Sequence, residues 1–265
     1  MKKLDFNKKP IIGMVHCLPL PGTMKFKDNL PEITTQAIHD AKTLEKAGVD
    51  AIIIENMGDD PFGVKLDIAQ VTALSAISAL VAKEVSLPIG IDAAMNDYET
   101  SLSLAKAIDA DFVRIPVFVD TVEFYGGIIN PVAREATLFR KQINAEDILI
   151  FADIQVKHTH MVLSSVSIED SARSAMDCGA DAIIVTGTHI GVETPMEIIK
   201  KVKSIANIPV IIGSGVKAMN IKSQLDLADG AIVGSSMKEG GIISNPISYK
   251  LARDVVEARN KESEA

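Results

Sequence analysis

Two hydrophobic patterns alternate along the chain. Short, nearly unbroken apolar runs are separated by longer stretches in which apolar residues recur every three to four positions. The runs read as buried β-strands and the periodic stretches as amphipathic helices. One set of runs follows a helix end and an acidic residue: Ala47-Gly-Val-Asp-Ala-Ile-Ile-Ile54 is echoed by Cys178-Gly-Ala-Asp-Ala-Ile-Ile-Val185. Weaker copies are Ile108-Asp-Ala-Asp-Phe-Val-Arg-Ile115 and Leu227-Ala-Asp-Gly-Ala-Ile-Val233. Glycine at the helix end suits a left-handed cap.

Strands of a second kind fall between these copies: Leu87-Pro-Ile-Gly-Ile-Asp92, Ile148-Leu-Ile-Phe-Ala-Asp153 and Ile208-Pro-Val-Ile-Ile-Gly213. Proline is tolerated at a strand start because that residue need not donate to the ladder. With Ile11-Ile-Gly-Met-Val15 at the front, eight strands are predicted. Helices are expected over 33–46, 64–84, 97–108, 131–143, 168–176, 195–205, 218–227 and 246–259, with Pro131 and Pro195 suited to first turns. A repeat of this regularity predicts an α/β fold, a closed (β/α)8 TIM barrel, rather than an open doubly wound sheet. No boundary interrupts it, so residues 1–265 are expected to form one domain.

Composition narrows the partners. The 265 residues are 47% apolar and carry a net charge of -8, which disfavours nucleic acid or an anionic membrane as a general partner. A local nest of amides can still bind a small anion. The basic start, Met1 to Lys9, lacks an apolar core long enough for a signal peptide, and no stretch approaches a membrane span. Cys17 and Cys178 form neither a disulfide framework nor a ligand cluster. A cytoplasmic protein is expected; a homo-oligomer is compatible with the pattern. The charged end from Arg259 is expected to fray.

In such a barrel, function gathers on the loops after the strands. The strongest signal there is a pair of glycine turns, Gly213-Ser214-Gly215 after the seventh strand and Gly234-Ser235-Ser236 after the eighth. Glycine lets the backbone approach a phosphate, and a helix predicted near Ala218 would add its N-terminal amides. The plainer alternative is two tight βα turns.

Asp153, Gln155 and Lys157 would share one side if the fifth strand stays extended. An Asp and a Lys in a barrel mouth can act as base and electrophile, and a desolvated Lys157 can form a Schiff base. Their alternative is an ion pair closing the barrel top. Glu55, Asp92 and Asp153 end three strands and could hold a divalent metal such as magnesium, with Asp92 as ligand, or could pair with Arg114 and Lys157. His16 is a candidate acid–base group; Cys17 beside it faces the other way and reads as core. Asn56, Asp59, Asp60, Asn96, Asp97, Thr186 and Thr188 are further polar residues of these loops, and Asp59-Asp60 could cap the second helix. His158, His160 and His189 are possible contacts, with a structural or solvated place as the plainer reading. Phe124-Tyr125-Gly126-Gly127 is either a lid or packing over the rim.

Several of these motifs together resemble the BtpA/SgcQ family. They are Ile12-Gly-Met-Val-His16 with Leu18-Pro-Leu-Pro-Gly22, and Val49 to Asn56 with Gly58-Asp59 and Pro61-Phe62. Ala152-Asp153 with Val156-Lys-His158, Gly213-Ser-Gly-Val216, and Ala228-Asp-Gly230 with Ile232-Val-Gly234 complete the set. The resemblance spans residues 11–249. It implies a TIM barrel of the ribulose-phosphate-binding type. One branch of the family is linked to photosystem I biogenesis and another to sugar-uptake operons. Two departures touch the rim. Met95 stands where the family usually has Arg, and Pro116 and Phe118 stand where it tends to have Asn and His on the fourth strand.

The leading expectation is an enzyme on a phosphorylated small metabolite such as a sugar phosphate, acting as an isomerase or an aldolase-like lyase. Lys157, Asp153 and Glu55 would move protons, and Arg114 would stabilise negative charge. The alternative is a non-enzymatic assembly or regulatory factor. Nucleoside triphosphate hydrolysis ranks last, because no Walker-type Gly-Lys-Ser/Thr loop is present.

Overall fold

Eight parallel strands close into a barrel in the computed structural model, which describes residues 4–187 and 192–261. They are β1 (Ile11–His16), β2 (Ala51–Glu55), β3 (Ile89–Asp92), β4 (Phe112–Ile115), β7 (Leu149–Asp153), β9 (Ala182–Val185), β10 (Val210–Ile212) and β11 (Gly230–Val233). Their order around the barrel is β1-β11-β10-β9-β7-β4-β3-β2. Helices α1 (Leu30–Ala47), α2 (Ile68–Glu84), α3 (Tyr98–Ala107), α4 (Ala133–Gln142), α5 (Ile168–Asp177), α6 (Met196–Lys203), α7 (Ile221–Leu225) and α8 (Tyr249–Asn260) occupy the connections. This is the expected (β/α)8 TIM barrel. None of the described helices is long and apolar enough to cross a membrane.

The strands are apolar on both faces because both are covered. Ile12, Met14, Ile53, Phe112, Phe151, Ile184 and Ile211 fill the barrel interior, while Ile11, Val15, Ile52, Ile54, Val113 and Val185 pack outward with the helices. Phe112 and Phe151 stack with ring centroids 4.4 Å apart. Gly90 makes room for them: a Cβ there would lie 2.2 Å from Cε2 of Phe112.

The acidic residue that recurs before every second strand has a structural purpose. Asp50, Asp111, Asp181 and Asp229 each donate their backbone N–H to the carbonyl of the first or second residue of a neighbouring strand: Ile11 (2.9 Å), Ile89 (2.8 Å), Ile150 (2.8 Å) and Val210 (2.9 Å). The carboxylate of each then accepts the N–H of that same residue, at 2.8, 3.0, 2.8 and 2.8 Å. These reciprocal clasps join the strands as four pairs at the N-terminal end of the barrel. A strand start would otherwise leave an unpaired N–H near the core.

Several helix starts differ from expectation. Asp67, not Asp59 or Asp60, caps α2, in a capping box with Gln70, so the helix begins at Ile68 rather than 64. Pro195 is the N-cap of α6, and Pro131 lies ahead of α4. The helix expected from Ala218 is shortened to α7. A buried ion pair, Lys238 Nζ to Asp40 Oδ2 at 2.9 Å, ties the segment after β11 to α1, and Asp40 also accepts the N–H of Ile247 at 2.8 Å.

The segment after β4, expected as a long loop, carries a hairpin of β5 (Val122–Phe124) and β6 (Gly127–Ile129). The two-residue strand β8 (His160–Met161) joins it, giving a three-stranded antiparallel sheet in the order β6-β5-β8. Val122, Phe124 and Ile129 pack on Val117 and Val156 over the barrel rim. The hairpin tip reaches the loop after β2: Tyr125 donates its hydroxyl to Asp60 at 3.1 Å and accepts the N–H of Phe62 at 2.6 Å.

Candidate active site

The C-terminal ends of the strands bring five expected residues onto one floor. Register places His16 level with Glu55 and Glu55 level with Asp92. Arg114, on β4, donates Nε to Asp153 Oδ1 at 2.8 Å and Nη2 to Oδ2 at 2.9 Å. This is a bidentate pair, the strongest geometry available to a guanidinium and a carboxylate. Nη1 of the same guanidinium lies 3.5 Å from Asp92 Oδ2, and His16 Nε2 lies 3.6 Å from Glu55 Oε2. Asp153 and Asp92 are only 1% exposed, so their charges have little access to water.

Lys157 reaches this floor from the loop after β7. The strand ends at Asp153, and Gln155 takes a positive φ of 45°. The expected alternation therefore breaks. Gln155 donates its amide to Val166 O and Ser171 Oγ, each at 3.2 Å, and does not share the role of its neighbours. Lys157 still turns into the mouth, with Nζ 3.5 Å from the carbonyl of Gly213.

Burial governs the ionisation of the floor. It raises Glu55, against the attraction of Arg114 and Lys157, and it raises Asp92 well above the ordinary carboxylate range, with Glu55 adding to the effect. Burial alone would favour loss of the proton from Arg114, but Asp153 first, then Asp92 and Glu55, hold its charge more firmly than usual. Lys157 is brought down to about 8 by burial and by Arg114. Of the three carboxyls, Asp92 is pushed most strongly toward keeping its proton, and its Oδ1 is buried without a partner.

His16 sits on the floor as a buried imidazole. Burial and the nearby Lys238, Lys157 and Arg114 lower it to about 3, so the imidazole is neutral near pH 7. Its Nδ1 is buried without a partner, which leaves it suited to hydrogen bonding inside the cavity. Burial pushes the Cys17 thiol up to about 12, in line with a small core residue.

Of the three carboxylates expected as oxygen ligands, Asp92 and Asp153 pair with Arg114, and Glu55 lies beside His16. Among the described residues no group of three or more His, Cys, Asp or Glu is placed to hold a metal ion. The expected ligand Asp92 thus stands, among the described residues, in an ion-pair cluster with Arg114.

Other polar rim residues serve as braces. Asp59 accepts from Leu20 N (2.8 Å), Asn56 Nδ2 (3.0 Å) and Gln70 Nε2 (2.8 Å). Asn56 and Asn96 exchange paired hydrogen bonds with the backbones of Ala94 and Val117. Asp97 caps α3, accepting from Thr100 N at 3.1 Å. Asp120 accepts from Gln155 N and Ser171 Oγ, and Thr186 Oγ1 accepts the N–H of Lys157 at 3.0 Å. Sequence reasoning passed over Asp120, Asp40 and Lys238, which carry no local motif. His158 and His160 are exposed. Thr188 and His189 lie outside the described residues.

The turns after β10 and β11 line the same cavity as the floor, a volume of ≈ 1360 Å³ at the barrel mouth. Packing already requires their glycines. A Cβ on Gly213 would fall 2.6 Å from Cγ2 of Ile184, and one on Gly215 (φ +70°) 2.3 Å from the backbone of Glu193. One on Gly234 would approach His16 Cε1 to 3.0 Å. A single 3-10 turn, Ser235–Met237, follows β11, so any anion cradle here is made by short turns rather than by a long helix. Ser236 donates its hydroxyl to Val216 O at 2.6 Å, fastening the two turns together. Met95 and Pro116 line the cavity, whereas Phe118 is fully buried behind it.

A closed parallel barrel with a buried charged floor at the strand C-termini places the chain among the TIM-barrel proteins. A solved structure of (S)-3-O-geranylgeranylglyceryl phosphate synthase from Thermoplasma acidophilum, in complex with substrate sn-glycerol-1-phosphate, has the same fold: TM-score 0.62 at 15% identity, covering 94% of this chain and 92% of that one. The chain belongs to the BtpA family, whose profile matches residues 7–261. An uncharacterized protein of Pyrococcus furiosus is 41% identical over 98% of both chains. The photosystem I biogenesis protein BtpA of Synechocystis is 34% identical, over 90% of this chain and 83% of that one.

Proposed function

We propose that the protein is an enzyme acting on a small phosphorylated metabolite of the sugar-phosphate kind, by isomerisation or aldol-type carbon–carbon cleavage. The observation that carries this reading is Lys157. Its amine, lowered to about 8, stands in one cavity with the Arg114 cluster and touches the first of the two glycine turns. A lysine that sheds its proton near neutrality is a nucleophile toward a carbonyl or a base toward a carbon acid.

In this reading the phosphate sits on the turns Gly213-Ser214-Gly215 and Gly234-Ser235-Ser236. Lys157 reacts with or polarises the carbonyl beside it. Glu55, raised by burial and free of the bidentate pair, moves the proton. Asp153 is held by both guanidinium arms and acts as a positioning residue for Arg114, which faces the negative charge that develops. The substrate of the Thermoplasma structural neighbour, sn-glycerol-1-phosphate, is itself a phosphate ester, which supports the substrate class.

Thermal-shift measurements with inorganic phosphate and a panel of sugar phosphates test the binding half. Stabilisation that disappears in Gly213→Asp is expected; no response to any phosphate would sink the reading. Lys157→Ala is expected to abolish turnover of a stabilising ligand while sparing its binding, and unchanged turnover removes Lys157 from the chemistry. A second reading, an assembly or regulatory factor, is favoured by the name of the Synechocystis relative. It predicts ligand binding without turnover, or neither.

A further inference from the structure

The cavity is larger and more apolar than a sugar phosphate requires. Ligand pockets of about 300–1,000 Å³ enclose drug-sized molecules, and this one measures ≈ 1360 Å³. Glu55, Asp92, Arg114 and Lys157 stand on or beside its floor, and Lys25 and Asp60 pair at its rim. The wall facing the glycine turns is of a different character. Counting around the barrel, β3 lies four strands from β10 and β4 four strands from β11, so the loops after β3 and β4 stand opposite the turns. Those loops and their neighbours supply Met57, Phe62, Met95, Phe124 and Met161 to the cavity lining. Phe62, Met95 and Met161 are partly buried against the apolar cluster beneath the β5–β6 hairpin, which gives them a packed backing and leaves them accessible from the cavity.

We infer that these residues form an apolar cup for a second part of the ligand, so that the substrate is a phosphate ester bearing a hydrocarbon or aromatic group at the end remote from the phosphate. This rests on the phosphate reading of the glycine turns. A ligand anchored on β10 and β11 passes over the Arg114 cluster and arrives under the hairpin on the far side. Three methionines and two phenylalanines suit an apolar group and repel a hydrated one. The residues bordering the cup on the outside are polar and tie the hairpin tip to the opposite loop, through Tyr125, Asp60 and Lys25. These contacts bridge the rim beside the cup, and the cup opens toward the floor.

Isothermal titration with inorganic phosphate, methyl phosphate and n-alkyl phosphates up to octyl, below their micellar concentrations, tests this. Each methylene that enters the cup is expected to tighten binding about fourfold, so octyl phosphate should bind about tenfold or more tighter than methyl phosphate even if only two methylenes reach it. Met95→Gln and Phe62→Asn should each lose most of that gain and retain the methyl phosphate affinity, which also reports that the variant is folded. Octyl phosphate binding no tighter than methyl phosphate would overturn the cup and leave the phosphate site standing. A gain that survives both variants would overturn it too, by placing the tail elsewhere. Failure of both inorganic and methyl phosphate to bind would instead overturn the phosphate reading on which the cup depends.

Discussion

The barrel carries carboxylates at both ends, and chemically similar groups do opposite work there. At the N-terminal end Asp50, Asp111, Asp181 and Asp229 accept strand N–H groups and sit within reach of water; Asp181 and Asp229 also pair with Arg140 and Lys203, each at 2.7 Å, and Asp50 with Arg259. At the C-terminal end Glu55, Asp92 and Asp153 are buried around one guanidinium, with a lysine close by. A carboxylate that can reach water serves mainly as a hydrogen-bond acceptor, and its ion pair is worth little. A carboxylate without water must share a cation or keep its proton, and that conflict tunes groups for chemistry. The difference is one of solvent, not of residue type.

The largest effect should come from breaking the buried end. Arg114→Met leaves Asp153 and Asp92 without their shared cation and is expected to cost about 3–5 kcal/mol, whereas Arg140→Met, at the partly exposed end, should cost about 1 kcal/mol or less. Denaturant unfolding of both variants measures this, and equal losses would erase the distinction drawn between the ends.

The clasps give the next effect. Asp229→Ala orphans the N–H of Val210 and should cost about 1–3 kcal/mol. Asp229→Asn keeps an acceptor, surrenders only the pair with Lys203, and should cost about 1 kcal/mol or less. If the two variants unfold alike, charge rather than hydrogen bonding holds that end together.

A pH series sharpens the contrast further. Asp92 binds its proton more tightly folded than unfolded, so the native state holds more protons than the unfolded one as pH rises above the ordinary carboxylate range, and stability falls there. Asp92→Asn removes that term, and its thermal stability relative to the parent should grow from pH 5 to pH 8. A constant difference would mean that Asp92 is ionised throughout. The smallest perturbation is a titration: reductive methylation of Lys157, followed by peptide mass mapping, should accelerate through an inflection near 8. An inflection near the ordinary lysine value would show that burial and Arg114 do not act on it.

Much of this was readable before the fold. Strand and helix positions follow from periodicity, and the repeated Asp before an apolar run, with glycine two residues ahead at Asp50 and Asp181, marks helix ends; the clasps made by Asp50, Asp111, Asp181 and Asp229 depend on neighbouring strands. Glu55, Asp92, Arg114 and Asp153 were recognisable as rim residues because they end or occupy apolar runs. The sheet β6-β5-β8 was not. Its strands are two or three residues long, too short for a periodic signal, and β8 pairs with β5 across a wide sequence gap. The expected alternation of Asp153, Gln155 and Lys157 holds only for an extended strand, and the backbone turns at Gln155, past the end of β7.

The sequence by itself determined the barrel, since local apolar periodicity is a property of neighbouring residues and needs no tertiary information. It also determined which end would carry chemistry, since polar residues that end buried runs must emerge at the rim. Only the tertiary structure decided how those residues act. How near Asp92 comes to Arg114, how far burial lowers His16, and which way Lys157 and Gln155 turn all depend on distance and on exclusion of water. Both arise from residues far apart in the chain, as with Lys238, whose charge near the far end of the sequence helps keep the His16 imidazole neutral.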